Sequence, residues 1–368
     1  MKGDKLRVLR VPIVMLIIVL MLPMAGCAGG KGADTENGRI SVNHEWGALE
    51  EVIVGTSEQM TIPVISGSEQ FERVDLDPKA KEFWKENQGK SLAEADPGLA
   101  NKMKEQLDGL VELLEERGVT VHRCQPLSEY EVNFLADVQS GVGLLFPRDP
   151  ILVVGNNVIE TECQAPFRRK ERYSIRPIFE PILEEDQAEY VSMPPAEPRI
   201  PGEGDSSALL EGGDVLLNGK EIYVGLSGRA SNEAGIEWLR RYLGHDYVVH
   251  AIKLKPQVLH LDCALALPRP GLAMVCPERL QDGLDGLPES LKDFDIITVT
   301  EEEALNLGAN VLVLDERTVI VDEQHGRLAT ELEKKGMEVL TTPFDAITMW
   351  GGSFRCAHHP VRRVTRKE

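Results

Sequence analysis

No two of the six cysteines stand in a CxxC pair, which argues against a zinc site. His358 and His359 lie beside Cys356, but no second cluster of ligand-type residues stands at a usual spacing, so the sequence implies no metal and no cofactor. Basic residues are scarce as well, 40 against 60 acidic residues in a chain of 368, for a net charge of −20. So acidic a chain does not bind nucleic acid or an anionic lipid surface unaided. It can draw a cationic substrate toward an acidic cleft. Long apolar runs are missing too. The uncharged stretch over residues 11–26 falls short of the roughly 20 apolar residues a membrane-spanning helix needs.

What that stretch does fit is export. Lys2, Lys5, Arg7 and Arg10 form a basic start, and the apolar run follows directly, so residues 1–26 read as a signal peptide. Met24-Ala25-Gly26-Cys27 resembles a bacterial lipoprotein cleavage box, which makes Cys27 the lipidated first residue of the mature chain. Residues 27–42 are Gly-rich and polar and read as a flexible tether. Residues 43–368 form the body. The expected location is the periplasmic or extracellular face of a membrane, held by a lipid anchor alone. Loss of the first 26 residues leaves 36 basic against 59 acidic residues, a charge of −23. Five cysteines remain, an odd number, so one thiol stays unpaired even where the others pair. Cys263 and Cys276 sit in apolar runs and read as buried thiols.

Along the body one plan recurs: apolar strand, tight turn, apolar strand, helix, strand. Residues 151–154 and 158–160 flank Gly155-Asn156-Asn157, and 215–217 and 221–224 flank Asn218-Gly219-Lys220, a strong hairpin signal. Residues 265–267 and 272–275 flank a Pro-Gly turn, and 311–314 and 318–321 flank Asp315-Glu316-Arg317. Amphipathic helices are predicted over 231–243, with Ile236, Leu239 and Leu243 on one face, and over 326–335. The N-terminal part adds a strand at 49–55, a helix at 99–117 and a strand at 119–122. Units of roughly 50–70 residues that cannot bury a sheet face alone call for closure on one another. Residues 56–98 and 186–208 are richer in Pro, Gly and charge and read as long loops over a site entrance.

Four motifs stand in order: Phe146-Pro147-Arg148-Asp149, Leu210-Glu211-Gly212-Gly213-Asp214, His260-Leu261-Asp262 and Gly351-Gly352-Ser353-Phe354-Arg355-Cys356. They supply carboxylates, one imidazole and one thiol. A guanidinium carbon is a poor electrophile because its charge is spread over three nitrogens. Attack on it needs carboxylates that fix the planar group, a thiolate aimed at the carbon, and an acid for the departing amine. Each residue has a plain structural alternative: a turn-capping Asp149, a buried Cys356, a structural His260, an ion-paired Arg279.

The ordered set resembles the guanidino-group-modifying superfamily, the penteins, and its amidinotransferase branch in particular. Glu45-Trp46-Gly47-Ala48-Leu49-Glu50 resembles the opening strand of that family, and Gly235-Ile236-Glu237-Trp238-Leu239-Arg240 and Asn310-Val311-Leu312-Val313-Leu314-Asp315 resemble the branch. The resemblance runs from about His44 to Arg363. It implies an α/β propeller of ββαβ modules around a pseudo-fivefold axis, with the site at the centre. It implies Cys356 as nucleophile, His260 as general acid and base, and Glu211 as the group that orients His260. Asp149 and Asp262 would hold the guanidinium, with Asp262 on the same strand face as His260, and Asp214 would support them. Arg279, 19 residues after His260, would bind a substrate carboxylate.

The implied reaction passes the amidino group of arginine through an S-amidino-cysteine to an amine, glycine being the first acceptor to consider, or to water. Glu211-Gly212-Gly213-Asp214 departs toward the deiminase form of the motif, and export departs from enzymes of intracellular arginine pools. Three readings follow: an amidinotransferase, a guanidino hydrolase of the arginine deiminase or dimethylarginine dimethylaminohydrolase type, and a lipid-anchored protein that binds guanidino compounds without turnover.

Overall fold

The computed structural model describes residues 38–65, 78–202 and 206–365. The expected signal peptide, Cys27 and most of the tether lie outside the described residues. Among the described residues no helix is long and apolar enough to cross a membrane.

The described strands form five three-stranded sheets. Four repeat one pattern. In the first of these, β3 (Ile151–Val154) and β4 (Asn157–Glu160) make an antiparallel hairpin, and β5 (Glu189–Ser192) returns parallel to β4. The same plan joins β6 (Val215–Asn218), β7 (Glu221–Leu226) and β8 (Val248–Lys253). It recurs in β9 (Leu265–Arg269), β10 (Leu272–Val275) and β11 (Asp295–Thr298). It recurs again in β12 (Leu312–Val313), β13 (Thr318–Asp322) and β14 (Glu338–Thr342). The fifth sheet is built from both ends of the described chain. β15 (His358–Val364) pairs antiparallel with β1 (Ala48–Val54), and β2 (Thr120–Arg123) lies parallel to β1. This is the pentein arrangement, ββαβ modules about a pseudo-fivefold axis.

Local chemistry explains the modules. The β3–β4, β6–β7 and β9–β10 hairpin loops are two residues long, and Gly155 and Gly219 take φ of +59° and +64°, a region that favours glycine. The helix Glu233–Leu243 starts on Asn232, whose side chain accepts from Gly235 N, and it buries Ile236, Leu239 and Leu243. Each such side chain contributes about 1.5–3 kcal/mol by leaving water. Burial of the strands β3 and β10 on both faces matches their unbroken apolar sequences.

Two expectations require correction. Residues 186–208 are not wholly loop, because β5 lies there. Its Glu-Tyr-Val-Ser sequence is half exposed and gives no apolar alternation. Residues 56–98 include the helices Pro78–Asn87 and Leu92–Ala95, the second opened by a capping box between Ser91 and Glu94.

Candidate active site

Each sheet sends one turn to a common centre, the turn before β3, β6, β9, β12 or β15, and these turns bond to one another in a closed ring. Asp149 Oδ1 accepts from Gly213 N at 2.9 Å. Asp214 Oδ1 accepts from Leu261 N at 3.0 Å. Asn310 Nδ2 reaches the Asp262 carbonyl at 3.4 Å and the Cys356 sulfur at 3.2 Å. Arg148 Nε donates to the Arg355 carbonyl at 3.1 Å, which closes the ring. The separate motifs are therefore one constellation in space.

A cavity of about 220 Å³ opens at this centre. Asp149, Glu211, His260, Arg279 and Cys356 all line it, and so do Arg168, Glu171, Arg229 and Cys263. Its outer wall is apolar, with Met60, Trp84, Phe146 and Trp350 among its residues. Met60, Pro63, Ile65 and Trp84 come from the segment expected to cover the entrance. Leu305, 45% exposed, stands at the rim.

His260 Nε2 lies 2.9 Å from Glu211 Oε2, and Nδ1 lies 3.8 Å from Asp149 Oδ1. Glu211 is itself fixed, since Oε1 accepts from Gln164 N at 2.8 Å. Burial alone would lower the pKa of His260, but Asp149, the hydrogen bond to Glu211 and the Asp214 charge outweigh it and carry it up to about 10. The imidazole is therefore an imidazolium at neutral pH, ready to give a proton. Asp149 is held below the usual carboxylate range: burial raises it, while His260 and Arg168 lower it further. The Cys356 thiol is pushed well up by burial, with Asp262 and Asp149 adding to the rise. A cation seated at Asp149 would offset that effect and favour the thiolate.

The glycines of the second motif are steric requirements. A Cβ on Gly213 would stand 2.6 Å from His260 Nδ1 and 2.7 Å from Asp149 Oδ1. One on Gly212 would stand 2.0 Å from the Arg148 carbonyl oxygen.

Asp262 departs from expectation. Residues Leu261–Cys263 form a 3-10 turn, and β9 begins only at Leu265, so His260 and Asp262 do not share a strand face. His260 lines the cavity while Asp262, fully buried, does not. Its Oδ2 accepts from Arg355 Nη1 at 3.0 Å and lies 3.6 Å from the Cys356 sulfur. Arg355 also makes two bonds to Glu45, at 3.0 and 3.1 Å. Asp214 supports from behind, accepting from Ser231 N at 3.1 Å, and burial pushes its carboxyl up to about 7. Arg279 lines the cavity and pairs with Glu301 at 3.3 Å. The five described cysteines are all free thiols.

Two residues escaped the sequence reading. Arg168 donates to Asp149 Oδ2 at 2.8 Å, bonds Glu171 at 3.0 and 2.9 Å, and lies 3.7 Å from Glu211. Its signal was the basic run Arg168-Arg169-Lys170 in an acidic chain. Asn310 is the other. Asp149, Asn310 and Cys356 each stand two residues before a strand, at Ile151, Leu312 and His358, and that shared register was its signal. Among the described residues, Asp149, Glu211 and His260 place possible metal ligands within 4.8 Å of one another. The guanidinium of Arg168 and the imidazolium of His260 already balance those two carboxylates.

Comparison with known proteins agrees with this geometry. The pattern of the family "N,N dimethylarginine dimethylhydrolase, eukaryotic" matches residues 85–363. The chain is 29% identical to L-arginine:L-lysine amidinotransferase of Pseudomonas savastanoi pv. phaseolicola over 88% of its length and 94% of that protein. It is 30% identical to a putative inosamine-phosphate amidinotransferase of Streptomyces griseus, covering 88% of this chain and 97% of the other. Among solved structures, an amidinotransferase of saxitoxin biosynthesis from Microseira wollei superposes with a TM-score of 0.75 at 26% identity, over 89% of this chain and 98% of that one.

Proposed function

Because the chain belongs to the amidinotransferase branch of the guanidino-group-modifying (pentein) superfamily, we propose that it moves the amidino group of arginine to an amine through an S-amidino-cysteine at Cys356. The observation that carries this reading is the convergence of a thiol, an imidazolium and paired carboxylates on one cavity. The arginine guanidinium seats beside Asp149, and its positive charge favours the Cys356 thiolate. The sulfur attacks the guanidinium carbon. The C–N bond to the departing amine breaks as His260 gives that nitrogen a proton, and ornithine leaves. The incoming amine then attacks the thiouronium carbon, His260 takes a proton from it, and the thiolate is released. Glu211 holds His260 throughout.

Lysine, an inosamine phosphate and glycine appear in the names of relatives. Here the apolar wall of Met60, Trp84, Phe146 and Trp350 favours an acceptor amine with an apolar body, and Arg229 and Arg279 favour a carboxylate on one substrate. The same wall limits the access of water to the intermediate. Incubation of the protein with arginine plus an amine, with products read by mass spectrometry, tests the reading. Ornithine and a new guanidino compound that require the amine support transfer. Citrulline and ammonia formed without it would make the protein a hydrolase. Ligand binding with no turnover would leave only a guanidino-binding protein.

For location, the reading is a lipoprotein anchored through Cys27, supported by the basic start, the apolar run and the Met24-Ala25-Gly26-Cys27 box. Cys27→Ser should abolish lipidation and release the body from membranes. Unchanged attachment with normal processing would refute the anchor.

A further inference from the structure

We propose that Asn310 is a positioning residue for the nucleophile, aiming the Cys356 sulfur and stabilising its thiolate with an amide N–H. The proposal rests on Cys356 being the attacking group. Asn310 is 1% exposed and sits on the turn before β12, in the sheet β12-β13-β14, the one that supplies no acid, base or thiol to the centre. Its amide orientation is settled by its partners. Oδ1 accepts from Ser353 N and from Cys356 N, both at 3.2 Å. Two backbone donors on one side-chain atom require that atom to be the oxygen. The NH2 must then face the other way, where it meets the Cys356 sulfur at 3.2 Å and the Asp262 carbonyl at 3.4 Å. The backbone joins in, since Arg355 N donates to the Asn310 carbonyl at 3.3 Å. One side chain therefore clamps the loop 353–356 and directs a donor at the reacting atom.

The need for such a donor follows from the surroundings of the sulfur. Asp262 stands 3.6 Å from it, and Asp149 and Cys263 also oppose its ionisation. Arg355, the neighbour of Cys356 in the chain, is engaged with Asp262 and Glu45. Asn310 offers the sulfur a fixed, buried N–H, and a preorganised donor in a dry site acts strongly on developing or resident negative charge.

Asn310→Asp is the informative variant. It is isosteric and keeps an oxygen for the Ser353 and Cys356 amides, but it presents an acceptor to the sulfur. Iodoacetamide alkylation of Cys356 against pH should shift upward by at least about one unit, so that labelling near neutrality falls roughly tenfold. Amidino transfer should fall roughly 100-fold, with the thermal transition near that of the unchanged protein. An unshifted alkylation profile in a folded Asn310→Asp protein overturns the proposal. If that variant does not fold, the unchanged protein carries the test. The Asn310 side-chain amide resonance should then follow the Cys356 titration and lose that response in Cys356→Ser, and a resonance indifferent to the thiol overturns it. Alkylation needs no turnover. A protein that labels at Cys356 yet transforms no guanidino compound would refute the proposed function and still decide the role of Asn310.

Discussion

Arg168 Nη1 lies 2.8 Å from Asp149 Oδ2, so the carboxylate assigned to the substrate guanidinium already holds a guanidinium of the protein. All three members of the group Arg168, Asp149 and Glu171 are largely buried. Arg168 keeps two close carboxyls compatible, although burial still carries Glu171 up to about 7.

Removal of that cation should be costly. Arg168→Met keeps length and apolar contact but leaves Asp149 and Glu171 facing each other. Breaking a buried pair from one side costs about 3–5 kcal/mol. A denaturant midpoint lowered to match, together with a raised KM for arginine, is expected. A variant as stable as the parent would show that Arg168 is no part of the buried charge balance.

Asp262→Asn separates two roles for one residue. Asp262 meets Arg355 and the Cys356 sulfur and does not line the cavity. Its charge is among the causes that push the thiol up. The amide variant should therefore alkylate at Cys356 at lower pH than the parent, while losing stability as Arg355 loses a partner. A carboxylate in direct contact with substrate would give instead an unchanged alkylation profile and a KM raised by two orders of magnitude or more.

The sequence made the hairpin and helix units legible because each carries its own local signals. Asn218-Gly219 makes the turn, and Ile236, Leu239 and Leu243 mark the helix face. It also made the order of Asp149, Glu211, His260 and Cys356 legible, since each stands in a short motif. What it hid were relations across the ring. Asn310 meets Cys356 only because the fourth and fifth sheets close on the C-terminal strand, 46 residues on. The pairing of β15 with β1 joins segments about 310 residues apart, and no local pattern encodes such a partner. The strand-face rule failed at Asp262 because a single 3-10 turn, Leu261–Cys263, replaces alternation with a reversal.

Acceptor choice should depend on the apolar wall. Trp84 packs against Trp350 with ring centroids 5.3 Å apart, and both line the cavity. Trp84→Ala removes one aromatic face and should lower kcat/KM for amines with apolar bodies by about tenfold or more, the scale of losing about 1.5–3 kcal/mol of burial. Release of ornithine in the first half-reaction should change little. An equal loss for glycine and for an apolar amine would show that the wall shapes the site without selecting the acceptor.

Stability should peak in mildly acidic solution. Glu171 and Asp214 are raised to about 7, so the fold prefers their neutral forms, and that contribution, complete below their ordinary values near 4, is lost as pH rises from there through 7. His260 is raised to about 10, so its contribution is complete below its ordinary value near 6.5 and is lost as pH climbs through 10. On the acid side, Glu51 is depressed to about 2, by His122 and Arg39 against its burial, and Glu303 to about 2, chiefly by Arg327. Their contributions are present above about 4.5 and are lost as pH falls toward 2. Urea midpoints at constant ionic strength should therefore be highest near about pH 4–5 and decline through pH 9. His260→Gln should flatten the decline above pH 7 and leave the acid side as it was. A midpoint that rose steadily from pH 6 to pH 9 would contradict the protonated state assigned to His260, and with it the acid that expels the leaving amine.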